Sequence, residues 1–291
     1  MKIGIIGCFQ NGKSTLINCL LGAKLAQTGG DGVAVTAANT IYCYALQNAI
    51  LSVNGKKYHK ACLRDVLNGQ VNNASEICIG FNSHILQNIT IVDTPGFNAN
   101  AKDTQVALAS LKNIDVALMV INNRGISDVE IDILRELQAR HLPYYIVMNC
   151  LMQQAQSTWN PDSDFNQSML ESISSCLENN KLRPMLLGGR KITAINIIWY
   201  WYAKTRFMFD SQEKQRKMIN MMEYYAEDFP NTDYLIASNV MPLIRFFALP
   251  LNLLSLKVYT TLHANTDRSL RQIVANIGSY SYKFSCLTKS N

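Results

Sequence analysis

Charge is scarce in this chain. Only 16% of the 291 residues are Asp, Glu, Lys or Arg, against 48% hydrophobic. That balance excludes a disordered polyelectrolyte and leaves enough apolar material for a large core. Metal-ligand spacing is also missing. The four histidines are scattered, and none of the eight cysteines forms a C-x-x-C pair. Cys8, Cys19, Cys43, Cys62, Cys78, Cys150, Cys176 and Cys286 lie mostly in apolar runs. They are expected to be reduced core residues of a cytoplasmic protein, not disulfides or zinc ligands. No long apolar run is present either. The most apolar uncharged stretch, residues 246–256, has eleven residues, contains Pro250 and lies between Arg245 and Lys257. A spanning helix needs about twenty residues, so this one is expected to pack against the protein or a helical partner, or to lie peripherally at the inner membrane. The first apolar run is broken by glycines, so no signal peptide is expected. Repeats and low-complexity tracts are absent.

What is present starts almost at the first residue. Gly7 to Ser14 reads G-C-F-Q-N-G-K-S, the spacing of a phosphate-binding loop. Gly7 and Gly12 allow the tight turn that points backbone N–H groups at a phosphate, Lys13 brings a cation, and the Ser14 hydroxyl suits Mg²⁺. The short run from Lys2 to Ile6 reads as a buried strand, and Ser14 to Leu21 has helical apolar spacing ended by Gly22. Asp93-Thr94-Pro95-Gly96 follows another apolar strand. There Asp93 can hold Mg²⁺ through water, and the Gly96 N–H can meet a γ-phosphate. Between the two motifs, Thr36 is placed to bring a second hydroxyl to Mg²⁺, with Thr28 and Thr40 as alternatives.

The remaining pattern alternates. Strands are expected within residues 33–44, 49–53, 77–79, 89–92, 116–121, 144–148 and 192–195. Helices are expected over 61–67, 104–112 and 128–140, and on the stripe Phe165, Met169, Ile173, Leu177. Such alternation implies a mostly parallel sheet with helices on both faces, here the three-layer α/β fold of phosphate-loop NTPases, followed by a helical carboxy-terminal segment. After residue 197 strands cease. The dense aromatics and methionines there (Trp199 to Tyr202, Phe207, Phe209, Met218, Met221, Met222) read as packing surface. Residues 1–179 hold 12 basic and 14 acidic side chains, and residues 180–291 hold 15 and 7. The basic second part can face anionic lipid or an acidic partner. It carries no nucleic-acid recognition motif, so nucleic acid is not expected as a partner.

Taken in order, G-C-F-Q-N-G-K-S-T-L-I-N-C-L-L-G, V-A-V-T-A-A-N-T and I-L-Q-N-I-T-I-V-D-T-P-G-F-N resemble the GTPase domain of bacterial dynamin-like proteins. The resemblance covers roughly residues 2–196 and is strongest in the first 125. It implies binding of GTP with Mg²⁺, and hydrolysis to GDP and phosphate as the family's reaction. Carried over, it makes Lys13, Thr36 and Gln10 the catalytic candidates. It gives Gly7, Asn11, Gly12, Lys13, Ser14, Thr15, Gly96 and Asn149 nucleotide contacts, and Ser14, Thr36 and Asp93 the metal. It also implies pairing of nucleotide domains between copies.

Two departures stand out. Gln10 replaces the family's serine after Phe9. Asn149-Cys150-Leu151-Met152 occupies the place of the guanine-reading [Asn/Thr]-Lys-x-Asp, keeping the first position but not the lysine or the carboxylate. Thr193-Ala194 stands where the family has Ser-Ala near the base, and Arg124 is a candidate charge supplied in cis. The organisation expected is a GTP-binding domain over 1–196 and a helical appendage over 197–291, too short for a full stalk. The leading reading is a Mg²⁺-dependent, slowly hydrolysing nucleotide switch. Its alternatives are a nucleotide-sensing binding module with little catalysis and a phosphate-loop NTPase without strict guanine specificity.

Overall fold

A computed structural model describes residues 1–26, 39–57, 76–97, 107–151, 158–207, 212–226 and 232–247. Residues Met1–Ala248 form the first of two units of the chain. The first is built on a nine-stranded sheet in the order β4-β3-β5-β2-β6-β1-β7-β8-β9. The strands are β1 (Lys2–Ile6), β2 (Asn39–Tyr44), β3 (Ala49–Val53), β4 (Lys56–Lys57), β5 (Glu76–Phe81), β6 (Thr90–Asp93), β7 (Val116–Asn122), β8 (Tyr144–Asn149) and β9 (Ile192–Ile195). The helices are α1 (Lys13–Leu21), α2 (Asp128–Ala139), α3 (Asp164–Asn179), α4 (Ile197–Thr205), α5 (Gln212–Ala226), α6 (Tyr234–Ala237) and α7 (Met241–Phe247).

The central strands read as unbroken apolar runs because both their faces are covered. Every residue of β8 is buried, as are the first six of β7. One face carries a core of Ile6, Phe97, Met119, Ile121, Ile146 and Met148 packed with Ile131, Leu134 and Leu137 of α2 and Ile173 and Leu177 of α3. The stripe read from the sequence on α3 is thus buried at Ile173 and Leu177, while Phe165, in the first turn of α3, is exposed. α1 contacts β1 and β6 and is met by α4. The buried aromatics Trp199, Trp201 and Phe207 do pack as expected, and Tyr145 of β8 meets Phe246 edge-on, ring centroids 4.8 Å apart. The first two residues of the apolar stretch 246–256 therefore lie in this core, and the rest of that stretch falls outside the described residues.

From β6 to β9 the sheet is parallel. Beyond β6 it is mixed: β2 runs antiparallel to β6 but parallel to β5, and β3 is antiparallel to both β5 and β4. The β3–β4 hairpin turns on Asn54-Gly55, both left-handed, as a two-residue turn requires. The helix expected over 61–67 and the strand residues 33–38 lie outside the described residues. Of the helix expected over 104–112, residues 107–110 are helical and Leu111–Asn113 tighten to a 3₁₀ turn.

Candidate functional site

Because β1, β6, β7, β8 and β9 are parallel, their carboxyl ends line one edge of the sheet. That edge brings together the loop after β1, Asp93 at the end of β6 with Thr94 to Gly96 after it, and Asn122, Asn149 and Asn196 at the ends of β7, β8 and β9. Ligands of open α/β sheets bind at such an edge.

The loop needs its glycines for space as well as for turning. Gly7 has φ 147, and a Cβ there would meet the Val120 carbonyl oxygen at 2.2 Å. Gly12 has φ 91, and a Cβ there would lie 2.6 Å from Asn149 Nδ2. Gln10, at the tip, is exposed and also left-handed at φ 65. α1 begins on Gly12 with no side-chain cap, so its first turn presents N–H groups to an anion. Thr15, half-buried, sits in that turn.

The charged groups converge here. Lys13 is buried, and its Nζ donates to the Gly7 and Cys8 carbonyl oxygens, each at 3.0 Å. Burial lowers its pKa, and the attraction of Asp93 is the largest influence opposing that. Burial also pushes the Cys8 thiol up to about 11. The Ser14 hydroxyl donates to Asp93 Oδ2 at 3.3 Å. Asp93 is buried, and its Oδ1 has no hydrogen-bond partner among the described residues. Loss of water pushes its carboxyl up to about 6, against the opposing pull of Lys13 and Ser14. A buried carboxylate oxygen without a donor, beside a hydroxyl, is a fitting ligand set for a hard divalent cation.

Residues 96 and 97 are tied directly to the loop. The Phe9 N–H donates to the Phe97 carbonyl at 3.0 Å, and the Phe97 N–H to the Gly7 carbonyl at 3.3 Å. A Cβ on Gly96 would lie 2.9 Å from Phe9 Cα and 3.2 Å from Lys13 Nζ, so only glycine fits between them. The Thr94 hydroxyl holds the strand end by donating to the Ile5 carbonyl at 3.1 Å.

Under the loop runs a polar network that sequence reasoning did not find. Asn11 is buried, and its Nδ2 donates to the Val120 carbonyl and to Glu130 Oε1, both at 2.8 Å. Its Oδ1 accepts from Asn122 Nδ2 at 2.9 Å. The other oxygen of Glu130 accepts from the Ser127 N–H and hydroxyl, completing a capping box at the start of α2. The S-x-x-E spacing at 127–130 was the available signal. Asn149 forms a second tie, donating from Nδ2 to the Asn11 carbonyl at 3.1 Å and accepting at Oδ1 from the Ile197 N–H at 3.4 Å.

The structure thus assembles Gly7, Asn11, Gly12, Lys13, Ser14, Thr15, Asp93, Gly96 and Asn149. Thr28 and Thr36 lie outside the described residues. The third threonine considered, Thr40, is buried in β2 and stands opposite Asp93 in the register. Arg124 is exposed, and its backbone N–H donates to Asn122 Oδ1. Cys150, at the lysine position of the guanine motif, is buried, and Met152 is outside the described residues. Thr193 does not reach the loop. It is buried inside β9, where its hydroxyl donates to the Leu187 carbonyl, and Ile195, at the strand end two residues later, is the residue paired with Asn149.

Comparison with known proteins gives a consistent answer. Residues 2–150 match the family model described as 50S ribosome-binding GTPase. Dynamin-like protein 2 of Campylobacter jejuni subsp. jejuni serotype O:23/36 (strain 81-176) is 37% identical over 134 residues, 43% of this chain and 22% of that protein. The match thus spans about a fifth of that relative's length. Among solved structures, a chain of an oligomerised bacterial dynamin pair, described as a mechanism for long-range sensing and tethering of membranes, aligns with TM-score 0.47 at 20% identity. That alignment covers 84% of this chain and 37% of that one. Era of Aquifex aeolicus with bound GDP and AlF4⁻ aligns with TM-score 0.40 at 18% identity, covering 77% and 56%. With the phosphate loop, the D-T-P-G turn and the asparagine after β8 in one place, the chain belongs to the GTPase family that this model describes.

Proposed function

We propose that the chain is a Mg²⁺-dependent GTP switch that hydrolyses slowly, and that its nucleotide lies across residues 7–15. The observation that carries the proposal is Asp93, buried, with one oxygen on the Ser14 hydroxyl and the other without a donor among the described residues. Ser14 and Asp93 would hold Mg²⁺, with Thr36 as a further ligand. When bound, the ion supplies positive charge to the β- and γ-phosphate oxygens. Lys13 exchanges the Gly7 and Cys8 carbonyls for phosphate oxygens, a stronger, charge-assisted pairing. The first-turn N–H groups of α1 take the β-phosphate, and Gly96, held against Lys13, takes the γ-phosphate. Losing that phosphate releases the segment after Gly96, which is the switching event. Gln10, at the exposed tip of the loop, orients the attacking water in place of the family's serine.

A second reading, a nucleotide sensor with little turnover or without strict guanine preference, is favoured by one observation. Cys150 is buried where a lysine would stack on the base, and its N–H is spent on the Ile195 carbonyl at 2.7 Å. We further propose that residues 1–196 are the GTP-binding domain and 197–291 its helical appendage. Pairing of nucleotide domains between copies, and peripheral attachment at the inner membrane through the basic carboxy-terminal part, follow from the resemblance to dynamin-like proteins. Among the described residues no helix is long and apolar enough to cross a membrane. The test is GTP and ATP affinity with and without Mg²⁺, with single-turnover phosphate release. Mg²⁺-dependent GTP binding lost in both Lys13→Ala and Ser14→Asn is expected, and unchanged binding in both refutes the site. Tight binding with no phosphate released over hours selects the sensor.

A further inference from the structure

We propose that Cys43 and Cys78 form a cross-strand dithiol that a peroxide converts to an intramolecular disulfide, joining β2 to β5. The two sulfurs already stand 3.7 Å apart. β2 and β5 are parallel neighbours with Ile41 opposite Cys78 and Cys43 opposite Gly80, which puts both cysteines on one face of the sheet, two residues out of register. Gly80 offers no side chain across from Cys43, so the Cys43 thiol can lean along the strand towards Cys78. On the far side of β5 the register slips between Ile50 and Ser52, beside Cys78. Such an irregularity lets the strand twist as the sulfurs close to the ~2.0 Å of a bond.

Reactivity matches the geometry. Both cysteines are half-buried, within reach of a small oxidant. The two thiols share one hydrogen bond in which either can donate; with Cys78 donating, it stabilises a thiolate on Cys43 and brings Cys43 down to about 7. The same bond keeps Cys78 protonated, well above its ordinary value. Cys8, Cys19 and Cys150 are instead pushed up by burial. A thiolate with a second thiol at hand is the pattern of a reactive cysteine with its resolving partner.

The chemistry balances with hydrogen peroxide as the oxidant. The Cys43 thiolate attacks one peroxide oxygen, the O–O bond breaks, and hydroxide leaves to become water. The Cys78 sulfur then attacks Cys43 Sγ, its proton leaves with the sulfenic oxygen as a second water, and the S–S bond forms. Together the two thiols lose two protons and two electrons, and the peroxide gains them.

The test is peptide mapping of the intact 291-residue chain after brief hydrogen peroxide treatment and blocking of free thiols. Cleavage after lysine and arginine separates Cys43, in residues 25–56, from Cys78, in residues 65–102, each without another cysteine. A linked pair that dithiothreitol dissolves is expected, and is expected to vanish when the chain is first unfolded in urea. In Cys78→Ala, alkylation of Cys43 by iodoacetamide at pH 7 should slow about tenfold, as the thiolate fraction falls. The proposal is overturned if both peptides stay unlinked, if linkage survives unfolding, or if Cys43 alkylates at the same rate in the variant.

Discussion

Replacing Asn11 by alanine tests whether the network beneath the phosphate loop holds that loop in shape. The substitution removes three hydrogen bonds, to the Val120 carbonyl, Glu130 Oε1 and Asn122 Nδ2. The three losses are unequal. Asn122 is only half-buried, so water replaces its bond at small cost. Glu130 is 4% exposed, so its Oε1 is left as a buried carboxylate oxygen while Oε2 keeps the two bonds from Ser127. A hydrogen bond to a charged group is worth about 1.5–3 kcal/mol and a neutral one about 1 kcal/mol. The expected loss is therefore about 3 kcal/mol. With a urea slope of roughly 2–3 kcal/mol per molar, the midpoint falls by about 1 M, readable by tryptophan fluorescence from the buried Trp159, Trp199 and Trp201. In a Glu130→Gln background the charge-assisted part is already gone, so Asn11→Ala should cost only about 1–2 kcal/mol. A midpoint shift below roughly 0.3 M, or strict additivity of the two substitutions, would refute the reasoning.

Two more outcomes bear on the site. The Asp93 carboxyl is raised from 3.8 to about 6 in the folded protein, so its contribution to stability is complete below pH 3.8 and is lost as the pH rises through about 6. That is roughly 3 kcal/mol at pH 7 without nucleotide. Asp93→Asn should therefore stabilise the nucleotide-free protein at pH 7.5 but not at pH 4, and abolish any Mg²⁺ dependence of binding. Urea midpoints at the two pH values check it, and an equal gain at both would contradict it. Gly12→Ala forces a left-handed alanine whose Cβ meets Asn149 Nδ2 at 2.6 Å. It should cost about 2–4 kcal/mol through strain and the displaced Asn149 bonds, and an unchanged thermal midpoint would show that the loop tolerates a side chain there.

Much of the site was legible in the chain because its chemistry is local. Gly7, Gly12, Lys13 and Ser14 sit within eight residues, and the loop between strand and helix works wherever that unit is placed. Asp93 and Gly96 were legible for the same reason, as a turn after an apolar strand. Asn149 was read as the first residue of a base-recognition motif, and the structure gives it another tie, to the Asn11 carbonyl and the Ile197 N–H. Thr193-Ala194 was placed near the base only because it stands where the resembled family has Ser-Ala. Its position inside β9 depends on where the strand ends, and spacing alone does not set that.

The sequence by itself determined the phosphate loop and the alternation of strands and helices. Each of these follows from residue type and short spacing. Only the tertiary structure decided which distant residues meet. The parallel register from β6 to β9 sets Asn11, Asn122 and Asn149 at one edge, although more than a hundred residues separate the first from the other two. The pairing of β2 with β5 brings two cysteines 35 positions apart to within 3.7 Å. Register is fixed by the burial of whole strand faces, a property of the packed sheet that no short window of sequence contains.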